Sequence, residues 1–174
     1  AYPHEWCEIQ IGLCTITRAS DPLQFRIGLG RLRSVSEYLS IPFVRVETTE
    51  FVAREQFTES LLSDSHSNSM ETFRYYESHG LNQSATYVAC SLMWQSLRVD
   101  PSSEFHSWSK RAKVCLRKTP YASASRLYVK ALIGYQLKTG NTAKAARLIP
   151  KLVAMLEDSN LPAFQKRDVK GFIA

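Results

Sequence analysis

Residues 127–162 read LYVKALIGYQLKTGNTAKAARLIPKLVAMLEDSNLP and carry the strongest structural signal in the chain. Apolar side chains, among them Leu132 and Leu152, recur on both sides of Gly140 with the helical period of about 3.6 residues. Glycine readily adopts the left-handed backbone conformation of a tight turn, and Ala145 is small enough to let two helices approach closely. The segment therefore predicts two antiparallel helices joined by a short turn.

The same residues resemble one unit of the tetratricopeptide and pentatricopeptide repeat families, whose helix–turn–helix units are about 34–35 residues long. The residues that carry the resemblance are Leu132, Tyr135, Gly140, Asn141, Ala145, Leu148, Ile149, Leu152 and Pro162. Residues 84–120 are interpreted as a less regular preceding unit, and no unit aligns upstream of residue 80. A helical bundle without repeats stays the alternative.

Three residues of this unit depart from the family pattern. In pentatricopeptide proteins each unit reads one RNA base through two polar side chains. If 127–161 is one unit, the matching positions are Ala131 and Leu161, which offer no side-chain hydrogen bond. Pro150 lies within the second helix and predicts either a kink or two shorter helices.

The rest of the chain shows further amphipathic segments separated by proline, glycine and serine-rich positions. An apolar stripe predicts a helix over 5–18, and its members are Trp6, Ile9, Leu13 and Ile16. Residues 63–69, SDSHSNS, predict a polar loop. Because no pair of strands is evident, we expect an all-α fold of stacked helix–turn–helix units, either a short α-solenoid or an irregular helical bundle.

The composition is that of a folded protein, since 44% of the 174 residues are hydrophobic and 11% are aromatic. Disordered chains contain few aromatic residues. We expect a single helical domain over 1–174. Within it, 1–80 form net-acidic helices without a clear repeat, and 84–174 form basic, repeat-like helices.

Charge is distributed unevenly along the chain, whose net charge is +6. Residues 1–104 hold eight basic and 13 acidic side chains, whereas residues 105–156 hold 11 basic side chains and no acid. A region of one sign attracts a partner of the opposite sign. The candidate contacts with RNA or an acidic protein surface are Lys110, Arg111, Lys113, Arg117, Lys118, Arg126, Lys130, Lys138, Lys144, Arg147 and Lys151. A solvated surface on a mildly basic protein is the alternative.

The sequence contains no recognisable catalytic motif. Its histidines, His4, His66, His79 and His106, fit neither the H-E-x-x-H pattern nor the spacing of a zinc finger, and neither G-x-S-x-G nor a P-loop occurs. The acids Glu50, Glu55 and Glu59 are interpreted as a solvated helix face. We therefore expect no catalytic activity, no metal site and no other cofactor.

The four cysteines, Cys7, Cys14, Cys90 and Cys115, are expected to be reduced and mostly buried thiols. This expectation favours a reducing intracellular compartment, either mitochondrial or cytoplasmic. No apolar run approaches the roughly 18 residues that a membrane span requires, so we expect no membrane partner.

These observations favour a non-catalytic scaffold or docking subunit. The first hypothesis is an RNA-associated structural subunit of a ribonucleoprotein, for example in an organelle, with other proteins of the complex as further partners. The alternative is a tetratricopeptide-like protein–protein interaction module, such as a fragment of a larger regulator, that binds an acidic peptide. Similar helical arrays follow the nucleotide-binding domains of some bacterial signalling ATPases.

Overall fold

The computed structural model describes residues 3–39, 41–58, 62–99, 103–157, 161 and 163–173. Within these residues the chain forms nine α-helices and no strand. The helices are α1 (Pro3–Ser20), α2 (Pro22–Leu39), α3 (Pro42–Thr58), α4 (Leu62–Ser78), α5 (Asn82–Val99), α6 (Ser103–Lys118), α7 (Ala122–Lys138), α8 (Thr142–Ala154) and α9 (Ala163–Ile173). The all-α prediction is confirmed.

The chain divides into two compact units, Ala1–Tyr75 and Tyr76–Ala174, with the border inside α4. From the sequence, the change from net-acidic helices to basic, repeat-like helices was predicted between residues 80 and 84. The single domain over 1–174 stays a prediction.

The helices begin at nearly constant intervals along the chain. The odd-numbered helices begin at Pro3, Pro42, Asn82, Ala122 and Ala163, and the even-numbered helices begin at Pro22, Leu62, Ser103 and Thr142. Both series therefore advance by 39–41 residues a step. This interval is longer than the roughly 34–35 residues of the families that the sequence resembles.

Packing follows the same order in both units. In the first unit, α1 packs on α2 and α3, and α2 packs on α3. In the second unit, α5 packs on α6 and α7, α6 packs on α7, α7 packs on α8, and α8 packs on α9. If α1–α2, α5–α6 and α7–α8 are taken as pairs, the two helices of each pair contact one another. Helices α1 and α5 also contact the first helix after their own pair, which is α3 and α7 respectively.

The core of the first unit is built by α1, α2 and α3. Its buried side chains are Cys7, Cys14, Phe25, Leu32, Val44 and Phe51. A β-carbon added at Gly28 of α2 would come within 2.7 Å of the Cys14 Sγ atom. The glycine therefore lets α1 and α2 approach closely.

The apolar stripe predicted on α1 exists, and its first member, Trp6, packs against this core, but the other three members are exposed. Ile9, Leu13 and Ile16 are 60%, 49% and 72% exposed, whereas Cys7 and Cys14 of the same helix are buried. Cysteine is among the most frequently buried residue types, and here Cys7 and Cys14 form the core face of α1 together with Trp6 and Ile11.

The polar loop predicted at residues 63–69 is wrong, because these residues lie inside α4. The Ser65 hydroxyl donates a 2.7 Å hydrogen bond to the Ala53 carbonyl, and the Asn68 amide donates a 2.8 Å hydrogen bond to the Gln56 side chain. These two side-chain hydrogen bonds join the polar start of α4 to α3.

The solvated acidic face predicted on α3 is also wrong for Glu55. This residue is buried, and its carboxylate lies 3.1 Å from the Arg18 guanidinium of α1. Glu50 lies 4.0 Å from Arg54 on the same helix, and Glu59 lies outside the described residues.

The hairpin predicted within 127–162 is formed by α7 and α8. Gly140 has a φ of +75°, and the Asn141 amide donates a 2.8 Å hydrogen bond to the Gln136 carbonyl. This six-to-one bond behind a left-handed glycine is the Schellman motif. Asn141 caps α8 by accepting a hydrogen bond from the Lys144 amide, and α8 continues through Pro150 as one helix rather than two.

The seam between α7 and α8 gives a direct test of this hairpin. Ala145 is buried among Val129, Ile133 and Leu152, whereas Ala143 is exposed. Ala145→Leu should overpack the seam and lower the free energy of unfolding by roughly 1–3 kcal/mol. Ala143→Leu is the control and should change it by less than about 0.5 kcal/mol. Urea denaturation of both variants measures the difference. Equal losses of stability would contradict the assignment of Ala145 to the seam and of Ala143 to the surface.

Gly134 of α7 is a second point of close approach, and the sequence analysis did not identify it. A β-carbon there would lie 3.0 Å and 3.1 Å from two ring atoms of Trp94 and 3.3 Å from Leu97 Cδ1, both on α5. The absent side chain therefore leaves room for the indole ring between the two helices.

Gly134→Leu should therefore lower the free energy of unfolding by about 1–3 kcal/mol, since the Trp94 ring must move. Gly30→Leu is the matched control, because a β-carbon at Gly30 has no neighbour within 4 Å. The control should be neutral or raise the free energy of unfolding by up to about 1 kcal/mol through helix propensity. Thermal or urea denaturation distinguishes the two, and a neutral Gly134→Leu would mean that α5 and α7 do not touch here.

Candidate functional site

Helix α6 presents a row of cations on the side opposite its buried face. Phe105, Trp108, Ala112 and Cys115 are the buried side chains of α6. Lys110, Lys113 and Arg117 are exposed and stand three and four residues apart. Residues with this spacing lie on one face of a helix. The three charges therefore form a single row along α6.

Two further cations of α6 flank this row. The Arg111 guanidinium lies 5.0 Å from the centre of the Trp108 ring and 3.9 Å from the Glu77 carboxylate. These contacts hold Arg111 against its own unit. Lys118 is exposed and is the last residue of the helix.

Helix α8 repeats the arrangement of α6. Its buried side chains are Ala145 and Leu152, and the exposed cations Lys144, Arg147 and Lys151 again stand three and four residues apart. Both α6 and α8 pack against α7. We call the six residues Lys110, Lys113, Arg117, Lys144, Arg147 and Lys151 the outer basic rows.

The cations of α7 are arranged differently, because all three are engaged within the second unit. Arg126 is only 6% exposed and forms an ion pair with Asp168 of α9. The Lys130 ammonium lies 2.9 Å from the same carboxylate and 4.7 Å from the centre of the Phe172 ring. The Lys138 ammonium donates a hydrogen bond to the Leu97 carbonyl of α5.

These contacts remove Arg126 and Lys130 from the candidate surface, whereas Lys138 is exposed but has its ammonium bonded to the Leu97 carbonyl. A buried guanidinium already paired with a carboxylate is not available to a phosphate or to an acidic side chain of a partner. The structure thus divides the 11 predicted cations into three that hold the second unit together and eight on α6 and α8 that face outward or flank the outward rows.

Asp168 is the functional residue that the sequence analysis missed. It lies 42 residues from Arg126 and 38 residues from Lys130. No local pattern links residues so far apart in the sequence. Only the packing of α9 near the start of α7 brings the acid to the two cations.

The first unit contains an open groove of about 820 Å³ lined by residues of α2, α3 and α4. Its walls carry both signs of charge, Arg33 and Arg45 with Glu37 and Glu71. Arg45 lies 3.8 Å from Glu71. Because the charges compensate one another, this groove offers no preference for a polyanion.

The described residues show little that resembles a catalytic site. No group of three or more His, Cys, Asp or Glu side chains in this part of the chain is placed to hold a metal ion. All four cysteines are buried, as predicted. Burial raises the pKa of the Cys90 thiol from 9.0 to about 12 and also raises the pKa values of Cys7, Cys14 and Cys115. Thiols with raised pKa values are poor nucleophiles at neutral pH.

Among the helices that the structure describes, none combines the length and the apolar character needed to cross a membrane.

Comparison of this chain with protein-family models, with curated proteins and with solved structures gives no match.

Proposed function

We propose that this chain is a non-catalytic helical-repeat scaffold that docks on RNA through the outer basic rows, as a structural subunit of a ribonucleoprotein. The observation that carries the proposal is the pair of exposed cation rows on α6 and α8. Both rows lie within residues 105–156, a stretch of 52 residues without a carboxylate side chain. Such a surface suits a polymer with regularly repeated negative charge.

The mode of binding that fits this surface is contact with the phosphate backbone. Lysine and arginine contacts to phosphates supply most sequence-independent affinity. Ala131 and Leu161, which match the base-reading positions of the pentatricopeptide pattern, are both buried. Tyr121 is 40% exposed and follows Lys118 by three residues. Its ring makes an edge contact with Tyr87, with the centroids 6.3 Å apart, and its exposed part offers a stacking surface for an unpaired base.

The helix order supports a repeat organisation related to the tetratricopeptide and pentatricopeptide construction. Helix starts advance by 39–41 residues, and helices pack on their near neighbours in the chain. Nearest-neighbour packing of this kind is typical of solenoid proteins. Further partners in the complex would be other proteins. The four buried thiols fit a reducing intracellular compartment, and we propose the mitochondrion or the cytoplasm.

The proposal is tested by the binding of the purified chain to labelled single-stranded RNAs of unrelated sequence. We expect similar affinities for all of them and a linear fall of log K with log salt. Three or four engaged cations give a slope of roughly −2 to −3.

An acidic peptide of matched net charge is the comparison ligand in the same assay. If the chain binds the peptide and no RNA at low salt, the alternative function as a protein-interaction module replaces the proposal. If it binds neither ligand, the outer basic rows are only a solvated surface.

A further inference from the structure

The outward face of α1 is an apolar surface without a described neighbour. Ile9, Leu13 and Ile16 share one face of the helix, and each is at least 49% exposed. Gly12 lies on the same face, and a β-carbon there would meet no atom within 4 Å. The opposite side of α1 carries the buried Cys7 and Cys14. A helix that is apolar on both sides is normally buried on both sides.

The regular helix spacing shows what the equivalent positions do in later helices. Counted from the helix starts, the positions of Ile9 and Ile16 correspond to Thr48 and Glu55 in α3. Both residues are buried and contact α1: Thr48 lies 3.6 Å from Cys7 Sγ, and Glu55 pairs with Arg18. These positions of α3 therefore pack on the preceding helix pair.

The same positions of α7 also pack on the preceding pair. Tyr128, equivalent to Ile9, lies 3.1 Å from the Ser109 hydroxyl of α6. Tyr135, equivalent to Ile16, stacks on the Phe105 ring with a centroid distance of 4.3 Å. In both α3 and α7 this face is the one by which an odd-numbered helix attaches to the pair before it. In α1 the face is exposed.

Helix α9 shows which kind of surface accepts this face. Counted from the helix starts, Glu8–Ile9 of α1 corresponds to Asp168–Val169 of α9. Val169 is fully buried in the cluster formed with α7 and α8, and Asp168 pairs with Arg126 and Lys130. The α7–α8 pair thus binds a helix that carries an acid followed by an apolar residue at this position.

We propose that α1 of one copy docks on the α7–α8 pair of a second copy, in exchange for α9. The apolar face of α1 would cover the cluster around Val129 and Leu152, and its Glu8 would lie at the cations that Asp168 now occupies. The negative charge of Glu8 complements the positive charges of Arg126 and Lys130. The buried Nε atom of Arg126 has no hydrogen-bond partner among the described residues. The contact joins two different surfaces, so association is heterologous and gives either a closed ring, of which a reciprocal dimer is the smallest, or an open chain of copies. It is independent of RNA binding.

Sedimentation velocity of the full chain over a wide concentration range tests the proposal. The weight-average mass should rise with concentration. Ile9→Glu should weaken association by at least about tenfold, because a charge replaces an isoleucine whose equivalent in α9, Val169, is fully buried. Thr15→Glu adds the same charge on an exposed position of the same helix and should leave the mass curve unchanged.

Asp168→Asn should shift association to lower concentration, because α9 then competes less well with α1 of another copy for the α7–α8 surface. Far-UV circular dichroism confirms that each variant keeps its helices. A chain that stays monomeric in the wild type and in Asp168→Asn would overturn the proposal, as would equal behaviour of Ile9→Glu and Thr15→Glu. A dimer that grows no further and ignores Asp168→Asn would point to symmetric pairing and would also overturn it.

Discussion

The triple variant Lys144→Glu, Arg147→Glu and Lys151→Glu should lose most of the RNA affinity of the chain and keep its helix content. The three side chains are exposed on one face of α8 and are separate from its buried residues. Each phosphate contact on a single strand contributes about 0.7 to the slope of log K against log salt. Loss of all three contacts should therefore reduce the magnitude of the slope by about 2. Fluorescence anisotropy with RNA at several salt concentrations measures both quantities.

The matched control reverses Arg26, Arg31 and Arg33 on α2, which are also exposed. It changes the net charge by the same amount, so it separates the position of charge from the total charge. We expect the α2 variant to bind RNA with nearly the wild-type slope. Equal losses in the two variants would show that net charge alone attracts the RNA and that α8 holds no binding surface.

Arg126→Glu should be the most destabilising single substitution considered for this chain. It removes the buried cation opposite Asp168 and places a second carboxylate beside the first. Because position 126 is only 6% exposed, the new carboxylate would be buried, and an uncompensated buried charge typically lowers the free energy of unfolding by about 3–5 kcal/mol. Urea denaturation, followed by circular dichroism, measures the loss.

Arg126→Met is the comparison, because methionine fills similar space without a charge. Asp168 then keeps Lys130 at 2.9 Å and is itself 45% exposed, so the loss should stay below about 1 kcal/mol. If Arg126→Glu also costs less than about 1 kcal/mol, Arg126 is not the structural residue that its burial indicates. With the expected loss of stability, a reversal of Arg126 is a poor probe of RNA binding, because it alters the fold as well as the charge.

Much of the helix order could be predicted from the sequence, because proline, glycine and asparagine mark the helix ends. Gly80 and Gly140 adopt positive φ values of 69° and 75° at the two turns where the sequence predicts a helix end. The prediction was wrong at residues 63–69 because the polar side chains there bond to α3, a partner remote in sequence. The stripe on α1 correctly predicted a helix, but periodicity fixes the spacing of a stripe and not which side a neighbour covers, so the exposure of Ile9, Leu13 and Ile16 was not predictable.

Of the candidate site, only the excess of cations and their spacing along the chain could be predicted from the sequence. The acid-free stretch is visible in the sequence, and so is the spacing of three and four residues on α6 and α8. The division of its cations into exposed and engaged ones was not predictable, because it depends on Asp168, Phe172 and Leu97. These partners lie 38–42 residues from the cations they meet, and no local pattern records such contacts.

The packing order also bears on how the chain acquires its structure. Within each unit the packed helices are at most two apart in the chain, so most contacts close short loops. Short loops have a low entropic cost, and domains with local contacts fold in microseconds to milliseconds. A chain of this kind needs no distant segment before its first helices can pack. As the chain leaves the ribosome, α1 and α2 can pair while α3 is still being synthesised, and within the second unit α7 and α8 can form on the α5–α6 pair.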